Sequence, residues 1–214
     1  MTGVQTCALP IFQIKFANSY TGFQLIFHEL ENSKSELIFE NDTLTVKTIP
    51  LKHRIYTNGF LFKEKNTQRK INIDAVLHHE IELVYFNKIK NGGDVTKDDG
   101  TVVKNAQLTF DPEPEKSYAF CSDTAYYEAI IPVIKNCTVL YHESTFLDSE
   151  LHLTDKTKHC TAKQAALIAK QALVSNLILG HYSTRYGSLE AFKTEAQTIF
   201  EPVFLADDGV EFEF

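Results

Sequence analysis

Asn176-Leu177-Ile178-Leu179-Gly180-His181-Tyr182-Ser183 reads as a short buried strand that stops on a histidine and a hydroxyl-bearing turn. Two earlier stretches share this build. Residues 118–121 run into Ser122-Asp123-Thr124, and residues 138–141 run into His142-Glu143-Ser144. Helical signals lie between them. A helix is expected over 125–135. Thr161-Ala162-Lys163-Gln164 has the form of a capping box, opening a helix that reaches about 174. Its face of Ala162, Ala165, Ala169 and Ala172 is small and suits close packing on a sheet. Ser188 is read as the cap of a further helix with Leu189, Phe192, Ala196 and Ile199 on one face. Residues 203–206 and 210–214 read as a closing hairpin around Asp207-Asp208-Gly209. Strands alternating with helices predict a layered α/β domain with its sheets covered by helices. In such sheets the carboxyl ends of the strands lie along one edge, where ligands usually bind. Asp123, Glu143 and His181 can converge there, and His159, on the loop ahead of Thr161, can face the same edge.

Working outward, the N-terminal third reads as β-rich. Residues 12–16, 22–28, 36–39, 44–49 and 56–62 are short runs of aromatic and β-branched residues separated by polar turns. Residues 63–117 are more polar. Asn91-Gly92-Gly93-Asp94 and Asp98-Asp99-Gly100 signal turns, so an arm-like insertion is expected at about 71–103, with Asp111-Pro112-Glu113-Pro114 as a stiff connector behind it. Met1 to Ile11 has no clear helical or strand period. From Thr2 to Ile11 it looks like the in-frame translation of a sequencing-adapter oligonucleotide, so residues 1–11 are set aside as an artefact and the fold is sought in 12–214.

The length of 214 residues suits one domain with a real core. With 43% hydrophobic and 23% charged residues, the composition is that of an ordinary globular protein. No apolar run is long enough to span a bilayer, and the start lacks the basic and apolar regions of a signal peptide, so the cytoplasm is the expected compartment. Cys7, Cys121, Cys137 and Cys160 form no Cys-x-x-Cys pair and read as free thiols. A net charge of −7 argues against sequence-blind coating of nucleic acid, while leaving room for an RNA held by a local basic patch and a metal.

One carboxylate with several imidazoles is a donor set that catalytic zinc prefers. Each residue alone has a plainer reading. An aspartate after a strand is more often a helix N-cap, and a histidine at a strand end is more often a surface or hydrogen-bonded core residue.

Three motifs taken together go further. Tyr141-His142-Glu143-Ser144-Thr145-Phe146, Lys158-His159-Cys160-Thr161-Ala162 and Gly180-His181-Tyr182-Ser183-Thr184-Arg185-Tyr186 resemble, in order, three blocks of the ribonuclease Z family. Ser122-Asp123-Thr124 is similar to that family's Gly/Ser-Asp-Thr. Ile49-Pro50-Leu51-Lys52-His53-Arg54 with Gly59-Phe60 resembles the segment around its other metal histidine. The likeness runs from about residue 12 to the C-terminus. It implies a metallo-β-lactamase-like αββα sandwich, incomplete at its N-terminus, within the α/β class. It also implies a zinc-dependent endoribonuclease that removes the 3′ trailer from precursor tRNA, with two zinc ions in the parent protein. By the same resemblance Asp123 bridges the ions, and His53 and His181 each complete one shell. His159 assists the scissile phosphate or leaving group, and Glu143 backs the site. A homodimer is implied; neither a membrane nor DNA is expected as partner.

The sequence departs from the family twice. No His-x-His-x-Asp-His occurs in it, and His78-His79 is the only close histidine pair. The missing motif belongs upstream of Phe12, and without it this chain is expected to bind zinc poorly and not to cleave tRNA. The family's arm often carries a Gly-Pro-rich portion, yet residues 80–86 hold neither residue. Lys88, Lys90 and Lys97 remain as candidate contacts to the RNA backbone, against the plainer reading of a solvated hairpin. Lys63, Lys65, Arg69 and Lys70 are read as a solvated basic loop. The competing functions are another hydrolase of the same fold and a metal-free binding protein.

Overall fold

The structure, a computed structural model, describes residues 26, 28–30, 32–65 and 68–214. The chain divides into two units, Met1–Glu31 and Asn32–Phe214, and every strand and helix described lies in the second. Residues 1–11, the expected strand at 12–16 and most of the one at 22–28 lie outside the described residues.

A seven-stranded mixed sheet organises the larger unit. Its strands are β1 (Leu37–Glu40), β2 (Leu44–Pro50), β3 (Asn58–Glu64), β8 (Ser117–Cys121), β9 (Val139–Glu143), β10 (Asn176–Gly180) and β11 (Val203–Leu205), in the spatial order β1-β2-β3-β8-β9-β10-β11. From β1 to β8 the neighbours run antiparallel, and from β8 to β11 they run parallel. Parallel neighbours need crossovers, and these carry the helices. The longest is Ala162–Ala172, opened by Thr161, whose side chain accepts from the Gln164 N–H while the Gln164 side chain accepts from the Thr161 N–H. Ala162, Ala165, Ala169 and Ala172 are all fully buried, as their spacing predicts. This face and that of Glu190–Gln197 cover Leu140, Leu177 and Leu179 of the sheet and close around Phe192. The opposite face carries Phe62 and Tyr118, and Phe120 stacked on Tyr141 with ring centroids 4.7 Å apart. Gly180 lies under the Tyr141 ring, so a Cβ at the last position of β10 would have to displace that ring.

Between β3 and β8 the chain builds a small unit of its own. Two short ribbons, β4 (Lys70–Ile71) with β7 (Thr109–Phe110) and β5 (Val95–Thr96) with β6 (Val102–Val103), frame the short helices Ile73–His78, Phe86–Lys90 and Asn105–Leu108. Val76, Ile81, Ile89, Val95, Val103 and Leu108 form a separate core there. The basic cluster near its base is tied up in ion pairs: Lys63 with Glu115, Lys65 with Glu40, Arg69 with Asp111 and Lys70 with Glu113.

Three local expectations are corrected. The helix at 125–135 shrinks to a 3-10 turn Glu128–Ile130 and a single turn Ile131–Ile134. The backbone before it is committed elsewhere: the Thr124 N–H donates to Glu143 and the Ala125 N–H to the Lys52 carbonyl. Asp123 is therefore not a helix cap. Ser188 stands one residue ahead of the N-cap Leu189, which makes no side-chain cap bond, and the Ser188 hydroxyl accepts from the Glu190 N–H at 3.4 Å. Residues 210–214 form no strand. β11 pairs in parallel with β10, and the tail packs by its rings, Phe212 and Phe214 lying 5.9 and 5.3 Å from the Phe204 ring.

Candidate active site

The parallel ladder sets Cys121 opposite His142 and Gly180 opposite Glu143, so the chain leaves β8, β9 and β10 at one edge. β2, antiparallel to β3, ends at the same edge because Pro50 pairs with Asn58 and Phe60 with Phe120. Thus four segments far apart in sequence deliver His53, Asp123, Glu143 and His181 together, and the loop before Thr161 adds His159. Asp123 and His181 are the residues on which the chain turns. Both adopt left-handed backbone, with φ of 57° and 60°. That conformation costs a residue with a Cβ about 1–2 kcal/mol, and strain of this kind gathers at functional sites. Here the surroundings hold it: the Ser144 N–H donates to the Gly180 carbonyl and the Ser183 N–H to the Thr145 carbonyl.

Each of the three imidazoles is tied to protein oxygen through Nδ1. His53 Nδ1 lies 3.0 Å from the Lys158 carbonyl, an acceptor only, so that nitrogen carries the proton. His159 Nδ1 lies 2.7 Å from Glu143 Oε1, and His181 Nδ1 lies 2.9 Å from Thr145 Oγ1. Each Nε2 is left for other partners, and in His181 it sits 3.0 Å from Asp123 Oδ1. The His159 ring stands between the other two, with centroids 5.1 Å from each. Asp123, His159 and His181 offer ligand atoms that all lie within 4.8 Å of one another. His53 adjoins this group through His159 but is not one of the three.

Glu143 is completely buried. It accepts from the Thr124 N–H and His159 at Oε1, and from the Thr145 N–H, the Thr145 hydroxyl and the Cys160 N–H at Oε2. Burial alone pushes its carboxyl up. The His159 hydrogen bond and charge, the Thr145 hydroxyl and the Cys160 N–H outweigh this, and the net displacement is downward. Its charge is then matched by donors on every side, as a buried carboxylate requires. The His181 hydrogen bond holds Asp123 below the usual carboxylate range, and Asp123 in turn raises His181 against the opposing effect of burial.

The donor chemistry fits a divalent metal. Imidazoles whose Nδ1 is anchored on oxygen present an oriented Nε2, the arrangement metal-binding histidines show, and a carboxylate at the same point completes a zinc-like set. Lys88 and Lys90 lie on the helix Phe86–Lys90 of the small unit and Lys97 beside its β5–β6 turn. Among the described residues, the ion pairs of Glu143 and Asp123 are with His159 and His181, and these three lysines take no part in them. Sequence reasoning passed over Thr145, Thr124 and the Lys158 carbonyl. Thr145 follows Glu143 by two positions in a strand-end turn rich in hydroxyls, which is the signal that could have found it.

No family model matches the chain. Curated relatives do. It is 42% identical over 201 residues to a protein named ribonuclease Z from Cytophaga hutchinsonii, covering 94% of this chain and 64% of that one. It is 40% identical over 199 residues to a ribonuclease Z of Phocaeicola vulgatus, covering 93% and 64%. Among solved structures, the metallo-β-lactamase fold protein YhfI from Bacillus subtilis superposes with a TM-score of 0.54 at 16% identity, covering 83% of this chain and 52% of that one. The chain thus spans just under two thirds of the length of these curated relatives. With about 40% identity along nearly its whole length, on a metallo-β-lactamase fold, this chain is similar to the ribonuclease Z proteins over the part of their length that it spans.

Proposed function

We propose that the protein is a zinc-dependent endoribonuclease that removes the 3′ trailer from precursor tRNA, working in the cytoplasm as a homodimer. The observation that carries this reading is the anchoring of all three imidazoles through Nδ1 around Asp123, at the edge where three parallel strands end. The name of the relatives supplies the substrate class, since they are called ribonuclease Z.

Asp123, His53 and His181 would hold the metal, three residues for the two ions expected. When bound, zinc supplies Lewis acidity toward the phosphate and makes a water acidic enough to attack at neutral pH. The chain's own groups do the rest. Glu143 keeps the Nδ1 proton of His159 in place and sets a negative charge behind that ring, so its Nε2 can deliver a proton to the departing oxygen. The protonated ring can also steady the phosphate. Lys88, Lys90 and Lys97, on the small unit, would meet the RNA backbone away from the cut.

These 214 residues contain no His-x-His-x-Asp-His, so their ligand inventory falls short of the three protein ligands per ion that catalytic zinc uses. Metal analysis of the purified chain should find zinc well below one ion per molecule, and no trailer removal. A version carrying that motif ahead of residue 12 should bind zinc tightly and cut. Tight stoichiometric zinc on the 214-residue chain would overturn the ligand assignment. A motif-bearing version that binds zinc but cuts other phosphodiesters and not precursor tRNA would overturn the substrate.

A further inference from the structure

We propose that Thr145 is a positioning residue whose single hydroxyl sets the ring of His181 and, through Glu143, the ring of His159. The inference deepens the nuclease reading and rests on His159 and His181 being its working groups. One unbroken path joins them. Asp123 Oδ1 meets His181 Nε2 at 3.0 Å, His181 Nδ1 meets Thr145 Oγ1 at 2.9 Å, Thr145 Oγ1 meets Glu143 Oε2 at 2.7 Å, and Glu143 Oε1 meets His159 Nδ1 at 2.7 Å.

Donor and acceptor roles along this path follow by elimination. Glu143 is an ionised carboxylate and can only accept. The hydroxyl of Thr145 has one hydrogen, and the 2.7 Å contact to Glu143 uses it. Toward His181 the same oxygen is therefore an acceptor, and Nδ1 must carry a proton. Thr145 thus decides which nitrogen His181 turns to the site, and it does so only while Glu143 keeps the hydroxyl hydrogen. The oxygen has little freedom to do otherwise. Thr145 is buried, its own N–H donates to Glu143 Oε2 at 3.2 Å, and its carbonyl accepts from the Ser183 N–H at 3.1 Å. A β-branched side chain is also stiff about χ1. Metal-bound histidines are usually held by such a partner on the far nitrogen, and losing it typically weakens metal affinity about 10- to 100-fold.

Thr145→Val keeps the shape and removes the oxygen, and Thr145→Ser returns the oxygen. The test reads the ring resonances of the metal-free chain with isotope-labelled histidine by NMR, each ring assigned through a His→Gln variant. His142 is the control, because it is buried in the same strand as Glu143 and reports packing. In Thr145→Val the His159 and His181 rings should shift or broaden while His142 stays in place, and Thr145→Ser should restore both. If neither ring moves in a folded Thr145→Val chain, or if His142 moves with them, the assignment fails. If Thr145→Val unfolds the chain, Thr145→Ser alone decides: unchanged His159 and His181 signals support the hydroxyl's role, and displaced ones overturn it. The measurement needs neither zinc nor RNA, so its failure is separate from failure of the nuclease reading.

Discussion

The strand-end site and the small unit at residues 70–110 are each tied together by one buried polar side chain, and the two side chains are of different kinds. In the small unit it is Asn105. Its amide donates to the Ile89 and Gly93 carbonyls and accepts from the Thr109 hydroxyl, while its own N–H goes to Asp94. An amide both donates and accepts, so it can close a local network on itself. In the main unit it is Glu143, which accepts only. It has to draw donors from other parts of the chain, and one of those donors, His159, turns its other nitrogen outward. The network around the buried charge thus reaches the imidazoles at the strand ends, whereas the one around the neutral amide stays among Ile89, Gly93, Asp94 and Thr109 of the small unit. The difference separates a site from a fold element.

That contrast can be broken by mutation, and the largest effect should come from the charge. Glu143→Ala leaves five donors without their acceptor. Breaking a buried, hydrogen-bonded charge pair costs about 3–5 kcal/mol. Urea unfolding should show a loss of this size; a loss under about 1 kcal/mol would mean that water or neighbours satisfy those donors and that Glu143 is not the knot. Asn105→Ala should cost less, about 1–3 kcal/mol for the groups it leaves unpaired. Its effect should also be local. Hydrogen exchange is expected to quicken between residues 70 and 110 and to stay unchanged in β8, β9 and β10. Equal quickening in both regions would show that the small unit is not a separate knot.

The sequence made some of this plain and hid the rest for physical reasons. Alternation of apolar runs and helical faces exposed β8, β9, β10 and the Thr161-capped helix, because their patterns face one core. Asp123, Glu143, His159 and His181 were legible as a group because parallel strands place their ends together. The ring partners were not. That Nδ1 of His181 rests on Thr145, or that Nδ1 of His53 rests on the Lys158 carbonyl, depends on tertiary placement that no local pattern encodes. The helix at 125–135 was over-read for the same reason: its first backbone donors serve Glu143 and Lys52, and helical propensity does not see them. The tail at 210–214 alternates like a strand, but its phenylalanines pack on Phe204 without main-chain pairing.

The smallest effect sharpens the comparison with a third buried polar side chain. His142 is completely buried beside Glu143, yet it is only half satisfied. Its Nδ1 lies 2.7 Å from the Glu143 carbonyl, and its Nε2 finds no partner among the described residues. Burial lowers its pKa from the ordinary histidine value, against the pull of the Glu143 carbonyl and charge. The unfolded chain therefore takes up a proton at about pH 6.5 that the folded chain refuses, and stability must fall as the pH drops below that point. The site groups act elsewhere. His181, with its pKa raised, contributes fully below about 6.5 and loses its contribution as the pH rises. Asp123 and Glu143, with theirs lowered, lose their contributions only as the pH falls through about 4 and below. Between about pH 5 and 6.5 the downward slope belongs to His142. Urea midpoints taken across that interval should fall for the native chain and stay level for His142→Leu. An equal slope in the variant would place the acid sensitivity on some other group and remove His142 from the comparison.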